Sequence, residues 1–409
     1  MSRFDDLQNR VKNFFGQRAK ANGLDSEVWK TFPSLRTTAS GVHVSDELAL
    51  RTSAVYACIR VLAETMASLP LKLYRRTSKN GRDGKEVADK HPLYDLIHSA
   101  PNDIMTSYEF RETMMTHLNL RGNFYAVKEF NGAGDLANLS ILHPGRMTVV
   151  SKGSSIAYEY IEDDGKKKVQ YSADEIWHVR CLSSNGIIGL SPVSQAKEAI
   201  GLSVSLEAHG SRLFKNDARP GGVLTSIKSL KEEAAARLSK RWQDAHTSGN
   251  AWKVAVLEEG MDYKPIGFSN DDAQFLETRN FQIQDIARMF RVPTVMIGHP
   301  DGTSTYASVE QFFLSFMMHT VRPWAIRIEQ SINRHLLSEK DRRKYFAEFQ
   351  LDALLRGDLY SRYQAYAIAR QNMWMSANEI RAKENMNPIE DGDKYENPNT
   401  TAQAKPPTV

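Results

Sequence analysis

The residues best equipped for covalent or metal chemistry are three acidic groups, Glu258-Glu259, Asp271-Asp272 and Asp391 with Asp393, together with scattered histidines. Clustered carboxylates can hold two divalent cations that activate water against a phosphodiester, the chemistry of a metal-dependent nuclease. The same residues serve as a hairpin rim, a helix start and a turn, because carboxylates are favoured at helix N-termini and in turns. No HExxH pair or zinc-type Cys/His spacing is present, and no serine or cysteine nucleophile has a recognisable histidine partner. A GxxxxGK[ST] phosphate loop is also absent. Asn131-Gly-Ala-Gly134 lies between two strand-like runs, where it reads as a hairpin turn and not a nucleotide cradle. The sequence therefore points to no catalytic group, no metal and no cofactor.

Non-covalent chemistry is better represented. Lys231, Arg237, Lys240 and Arg241 form a basic cluster interrupted by Glu232, Glu233 and Asp244, a solvated face that can also dock an acidic partner. Residues 298–305, from Gly298 through His299, Asp301, Gly302, Thr303 and Ser304 to Thr305, have the composition of an exposed loop followed by Tyr306. Phe312, Phe313, Phe316 and Trp324 could stack on bases, but their helical spacing favours core or subunit-interface packing. A net charge of +4, from 53 basic and 49 acidic residues, is too small to mark tight non-specific DNA binding. Cys58 and Cys181 alone make no disulfide framework, which fits a reducing cytosol. No secretory leader or membrane-spanning apolar run is evident. Phe4, Leu7, Val11, Phe14 and Phe15 share one face of a possible helix, suited to a partner, to a mobile arm or, less commonly, to a membrane surface.

The elements that must position these residues follow from periodicity. An irregular arm (1–44) precedes an expected helix over 45–68, whose apolar set Leu48, Leu50, Val55, Ile59, Leu62, Ala63 and Met66 is stopped by Pro70. A strand over 69–76 ends in a turn-rich stretch. Thr106-Ser-Tyr-Glu109 has the form of a capping box opening a helix to about residue 120. Alternating stretches at 124–130, 147–150, 157–161 and 175–179 then predict an α+β domain, mainly antiparallel, over 45–190.

Pro192 opens a long expected helix over 191–217. Residues 218–269 read as a small β/α unit with a strand at 223–227, a capped helix from Ser229 and a hairpin of 253–257 with 263–268. A second long helix (270–292) ends at Val292-Pro293, and a loop follows over 293–307. Ser308-Val-Glu-Gln311 is expected to cap the next helix, which carries Pro323 where an amide donor is lost and a kink follows. Its stripe of Phe312, Phe313, Phe316, Trp324, Ile328, Ile332 and Leu336 must be buried. A strand near 346–351 returns the chain (308–352), helices at 358–372 and from Ser376 to about 387 form a helical unit (353–396), and a polar tail (397–409) ends it.

The order long helix, small β/α insert, second long helix, polar loop and Pro-interrupted helix resembles the core of the tailed-bacteriophage portal family. The chain is similar to its HK97-type branch from about Arg51 to Tyr395, through Ser53-Ala-Val-Tyr-Ala-Cys-Ile-Arg60, Gly189-Leu-Ser-Pro-Val193, Phe214-Lys-Asn216 with Arg219-Pro220, Ile286-Ala-Arg-Met-Phe-Arg-Val-Pro293, Arg322-Pro-Trp324 and Leu354-Leu-Arg-Gly-Asp358. Ser376-Ala-Asn-Glu-Ile-Arg381 and Gly392-Asp393 also fit. The resemblance implies a wing (45–190), a two-helix stem, a clip (218–269), a tunnel loop (293–307), a kinked helix and a C-terminal crown. It further implies a homo-oligomeric ring, usually of twelve subunits, at one capsid vertex of the virion, assembled in the host cytoplasm without a membrane. Such a ring passes double-stranded DNA, docks terminase and then head-tail connector proteins on the clip, and is surrounded by major capsid protein. A head-tail adaptor and a metal-dependent DNA-processing enzyme are the rival readings. Stem helices lying side by side would count against both.

Overall fold

The computed structural model describes residues 38–79, 82–152, 155–162, 165, 167–215, 222–226, 233, 236–237, 261–265, 270–299, 306–351, 359–384 and 386–397. The N-terminal segment before residue 38 and the polar tail beyond 397 lie outside them. The first turn begins at Ser45, whose hydroxyl accepts from the Leu48 amide and opens α1 (Asp46–Arg51). Thr52 then adopts an extended conformation, ψ 114°, so the single helix expected over 45–68 is two, with α2 at Ser53–Ser68. The Thr52 hydroxyl and amide both turn back onto the Leu48 carbonyl, a local bond that competes with helix continuation.

Helix α2 buries Val55, Cys58, Ile59, Leu62, Ala63 and Met66, one stripe at helical spacing. A short α3 (Pro92–His98) follows two strands, and the stripe of α2 packs on α4 (Ser107–Arg121) through Met114, Met115 and Leu118. The expected capping box is present at Thr106 and Glu109. Gly122, in the left-handed region at φ 74°, ends α4.

All strand pairs are antiparallel. The first sheet orders β11-β1-β2, with β1 (Leu71–Lys79) between β2 (Arg82–Val87) and β11 (Tyr345–Phe349). The second orders β4-β3-β8 from Leu136–Leu142, Asn123–Phe130 and Ile176–Arg180, and Asn131-Gly-Ala-Gly134 makes the expected turn of its hairpin. The third orders β5-β6-β7 from Met147–Lys152, Ser155–Ile161 and Lys168–Ser172.

Helix α5 (Pro192–Gln195) is separated from α6 (Lys197–Lys215) by Ala196, ψ 4°, so the first long helix is also interrupted near its start. Strands β9 (Gly222–Ser226) and β10 (Met261–Pro265) pair with each other. Of the hairpin expected between 253–257 and 263–268, residues 253–257 lie outside the described residues, and β10 is described in its pairing with β9. Helix α7 (Asn270–Phe290) returns toward the wing. Helix α8 (Tyr306–Phe316) starts two residues before Ser308, so the expected cap there is internal to the helix. A π-helical turn (Met317–Val321) leads into α9 (Arg322–His335). The chain ends in α10 (Leu359–Gln371) and α11 (Ala377–Lys383), the latter shorter than expected and opened by the predicted Ser376–Glu379 box. One continuous core runs from α2, α4, β1 and β3 through Ile200, Ile286 and Phe290 to Ile328 and Ile332.

Candidate channel and docking elements

Helices α6 and α7 pack side by side, with Arg279 Nη2 3.6 Å from Glu207 Oε1 across their exposed faces. The antiparallel register of β9 and β10 closes the far end of this pair, Gly222 opposite Pro265 and Ser226 opposite Met261. The described residues here are two helices side by side, with a two-stranded β unit between them in sequence. Of the basic cluster assigned to that unit, Arg237 is exposed and its Nε donates to the Glu233 carbonyl. Lys231, Lys240 and Arg241 lie outside the described residues.

The loop after the stem begins differently from expectation. Thr294–Ile297 form a 3-10 turn, not open loop, and Met296 and Ile297 pack against the core. Gly298, at φ 76° and exposed, ends that turn, so its glycine serves a left-handed cap. His299 is half-buried and its amide donates to the Thr294 carbonyl. Asp301, Gly302, Thr303, Ser304 and Thr305 lie outside the described residues, and Tyr306 opens α8.

Pro323 sits in the first turn of α9, directly after the π turn, inside a continuous helical run from which its ring withholds one amide donor. The aromatic stripe is only partly buried. Phe316, Ile328 and Ile332 are in the core and Phe313, Trp324 and Leu336 pack against it, but Phe312 is 45% exposed. Helix α9 is then tied to the wing. Arg327 donates to the Arg180 and Cys181 carbonyls, Trp177 Nε1 to Ser331 Oγ at 2.9 Å, and the Phe349 amide to Glu329 Oε1 at 2.7 Å.

Sequence reasoning missed the node that sets wing against stem. Gly122 and Gly189 approach so closely that a Cβ on Gly189 would collide with the Gly122 carbonyl oxygen, and one on Gly122 with that of Leu190. Asn123 bridges the crossing: its Oδ1 accepts from the Gly189 amide at 2.7 Å and its Nδ2 donates to the Gly189 carbonyl at 2.9 Å. His178 donates from Nε2 to the same Oδ1, and its Nδ1 is hydrogen-bonded to the Tyr158 hydroxyl at 3.2 Å, which donates to it in the neutral ring. Burial, with Arg180 and His335 adding to it, holds His178 well below its ordinary pKa. Ser191 donates to the Leu120 carbonyl and caps α5, and Val193 is buried, which gives Gly189-Leu-Ser-Pro-Val193 a physical reason. The glycine at each end of the crossing was the available signal.

Asp391 pairs with Lys394 at 2.9 Å in a left-handed turn, and among the described residues no group of three His, Cys, Asp or Glu side chains is placed to hold a metal ion. Cys58 and Cys181 are free and buried, and burial pushes both thiols up to about 12. No helix among the described residues is long and apolar enough to cross a membrane.

The family described as phage portal protein matches residues 53–385. The chain is 33% identical over 402 residues to the probable portal protein of Streptomyces phage phiC31, covering 94% of this chain and 86% of that one. It is 32% identical over 352 residues to the portal protein of Enterobacteria phage HK97, covering 86% and 82%. Among solved structures it superposes on a chain from the virion of a native gene transfer agent particle with TM-score 0.61 at 26% identity, covering 84% and 94%. An HK97-family phage portal protein from Corynebacterium diphtheriae, at 17% identity and TM-score 0.51 over 78% and 99%, shares the fold. With a family model matched over 53–385 and relatives 32% and 33% identical over most of both chains, the chain belongs to the phage portal protein family.

Proposed function

We propose that this chain forms a ring at a single capsid vertex of the virion and serves, without catalysing a reaction, as the conduit through which double-stranded DNA enters and leaves. The observation that carries the reading is the uncovered apolar surface of the stem and the helix after it. Phe281 and Met289 on α7, Phe312 and Leu314 on α8, and Met318 in the π turn are each 42% to 59% exposed. Large apolar groups left open on a side-by-side helix pair call for cover by other copies, and heterologous contacts that close do so as rings. A gene transfer agent neck at 26% identity, computed with C6 symmetry, supports the same arrangement.

A conduit must contact DNA without holding it, since every tight phosphate contact adds affinity that translocation has to break. The near-balance of 53 basic and 49 acidic residues meets that requirement. In this reading the segment 298–306 lines the channel, the basic face at Lys231, Arg237, Lys240 and Arg241 meets terminase and later the connector proteins, and major capsid protein surrounds the ring. Assembly takes place in the host cytoplasm. Negative-stain electron microscopy with solution mass tests the reading on the untagged protein. Annular particles with a central hole and about twelve subunits are expected; a stable monomer at every salt concentration would remove it.

A further inference from the structure

The chain leaves the stem at Arg291 and comes back to the same point at Thr320. Arg291 ends α7 in the left-handed region, φ 58°, an uncommon conformation for a residue with a side chain. The amides around it close the helix end, Arg291 donating to Arg288 and Val292 to Ala287. Its own carbonyl is taken by the Thr320 hydroxyl at 2.8 Å. Thr320 is 4% exposed and lies among Phe316, Met317 and Val321, all buried, with Val292 also in the core.

This use of a threonine differs from that at Thr116 and Thr52. Thr116 returns its hydroxyl to the carbonyl of Glu112, four residues back in its own helix, and Thr52 does the same with Leu48. That is the ordinary habit of helical threonine. Thr320 instead sits in the π-helical turn Met317–Val321 and donates across to another element. A π turn adds a residue to the ladder and resets the facing of the helix on either side, and such turns gather at functional positions. Beyond it, α9 is fastened to the wing by Arg327, Ser331 and Glu329.

We infer that Thr320 is a positioning residue: aimed by the π turn, it locks the end of stem helix α7 to the wing-spanning helix α9, so that stem and wing hold one relative position around the channel. Its value to DNA passage rests on the conduit reading above; the joint itself does not. Thr320→Val keeps shape and removes the donor to the Arg291 carbonyl, while Thr320→Ser keeps the hydroxyl. In the assembled protein, hydrogen exchange at the amides of Val292, Met296, Gly298 and His299 is expected to quicken about tenfold in the valine variant, the size of one lost hydrogen bond. The serine variant should stay within about twofold of the parent. DNA packaged per particle should fall in the valine variant and recover in the serine variant. Equal exchange in the parent and the valine variant, or a serine variant as fast as valine, overturns the joint. Faster exchange with unaltered packaging overturns its role in positioning the channel. A parent protein that forms no rings is a failure of the conduit reading and is seen before either variant is made.

Discussion

In the wing, Leu62, Met114, Phe124 and Trp177 are 2% exposed or less, whereas the stem and the helix following it leave Phe281, Phe312, Leu314 and Met318 open to solvent. Both regions are helical and comparably apolar, so composition does not separate them. What separates them is closure. The wing folds α2 and α4 against sheets whose strands come from both ends of the chain, with β1 pairing β11 across some 270 residues, and its polar groups are spent on each other at Asn123, His178 and Tyr158. Among the described residues the stem is two helices with a two-stranded ribbon between them in sequence, and a helix pair has few faces with which to cover itself. The wing closes most of its core within one chain, and the apolar groups that the stem leaves open are those that the proposed ring would cover.

The sharpest way to break this contrast is to place the same change in each region. Gly189→Ala puts a methyl group into the Gly122 backbone, where neither partner is a flexible side chain, so about 3 kcal/mol or more of stability should be lost. Gly298→Ala has open space around it and meets only the cost of a left-handed φ, about 1–2 kcal/mol. Urea midpoints of the two variants check the order. If Gly189→Ala is no worse than Gly298→Ala, the crossing is not what holds wing to stem.

Acid is expected to act on the wing next. Burial holds His117 and His335 down to about 4, helped at His117 by His143 and Arg121 and at His335 by Arg180, Lys128 and other cations, and holds His178 well below its usual value. The unfolded chain takes these protons near pH 6.5, so between about 6.5 and 4 it binds more protons than the folded chain and stability rises with pH. The contribution is complete above about 6.5 and is lost as pH falls toward 4. Near-UV circular dichroism, which reads the buried Trp177, should fade over that window. His178→Gln, weaker at pH 8, should show a shallower loss on acidification; an unchanged slope would sink the assignment.

These contrasts also explain what could be read before the fold was known. Helices α2, α4 and α7 and the boxes at Thr106 and Ser376 were legible because their signals are local: a stripe every three or four residues and a hydroxyl facing its own N-terminus. The breaks at Thr52 and Ala196 and the π turn at Met317–Val321 were not, since no glycine or proline stands at those positions to mark them. Strands β2 and β7 escaped because edge strands such as Arg82–Val87 and Lys168–Ser172 are polar and lack a buried alternation. The pairing of β10 with β9 was not read because β9 lies more than thirty residues back. For the candidate site, the order of stem, insert and loop was legible. The meeting of Gly122 with Gly189, or Arg291 with Thr320, needs two distant positions known at once.

The smallest effect tests the other half of the contrast. The Arg279–Glu207 pair is the direct electrostatic link across the stem helices among the described residues, yet its side chains are 52% and 46% exposed and 3.6 Å apart. Solvent screens such a pair to well under 1 kcal/mol. Glu207→Gln should therefore leave the urea midpoint of the dissociated subunit within error, and any change in ring stability should vanish at high salt. A loss near 2 kcal/mol in the subunit itself would mean that the stem closes on its own charges, and that its exposed phenylalanines are not waiting for a neighbour. A null result leaves the cover of that surface to the contacts between subunits proposed above.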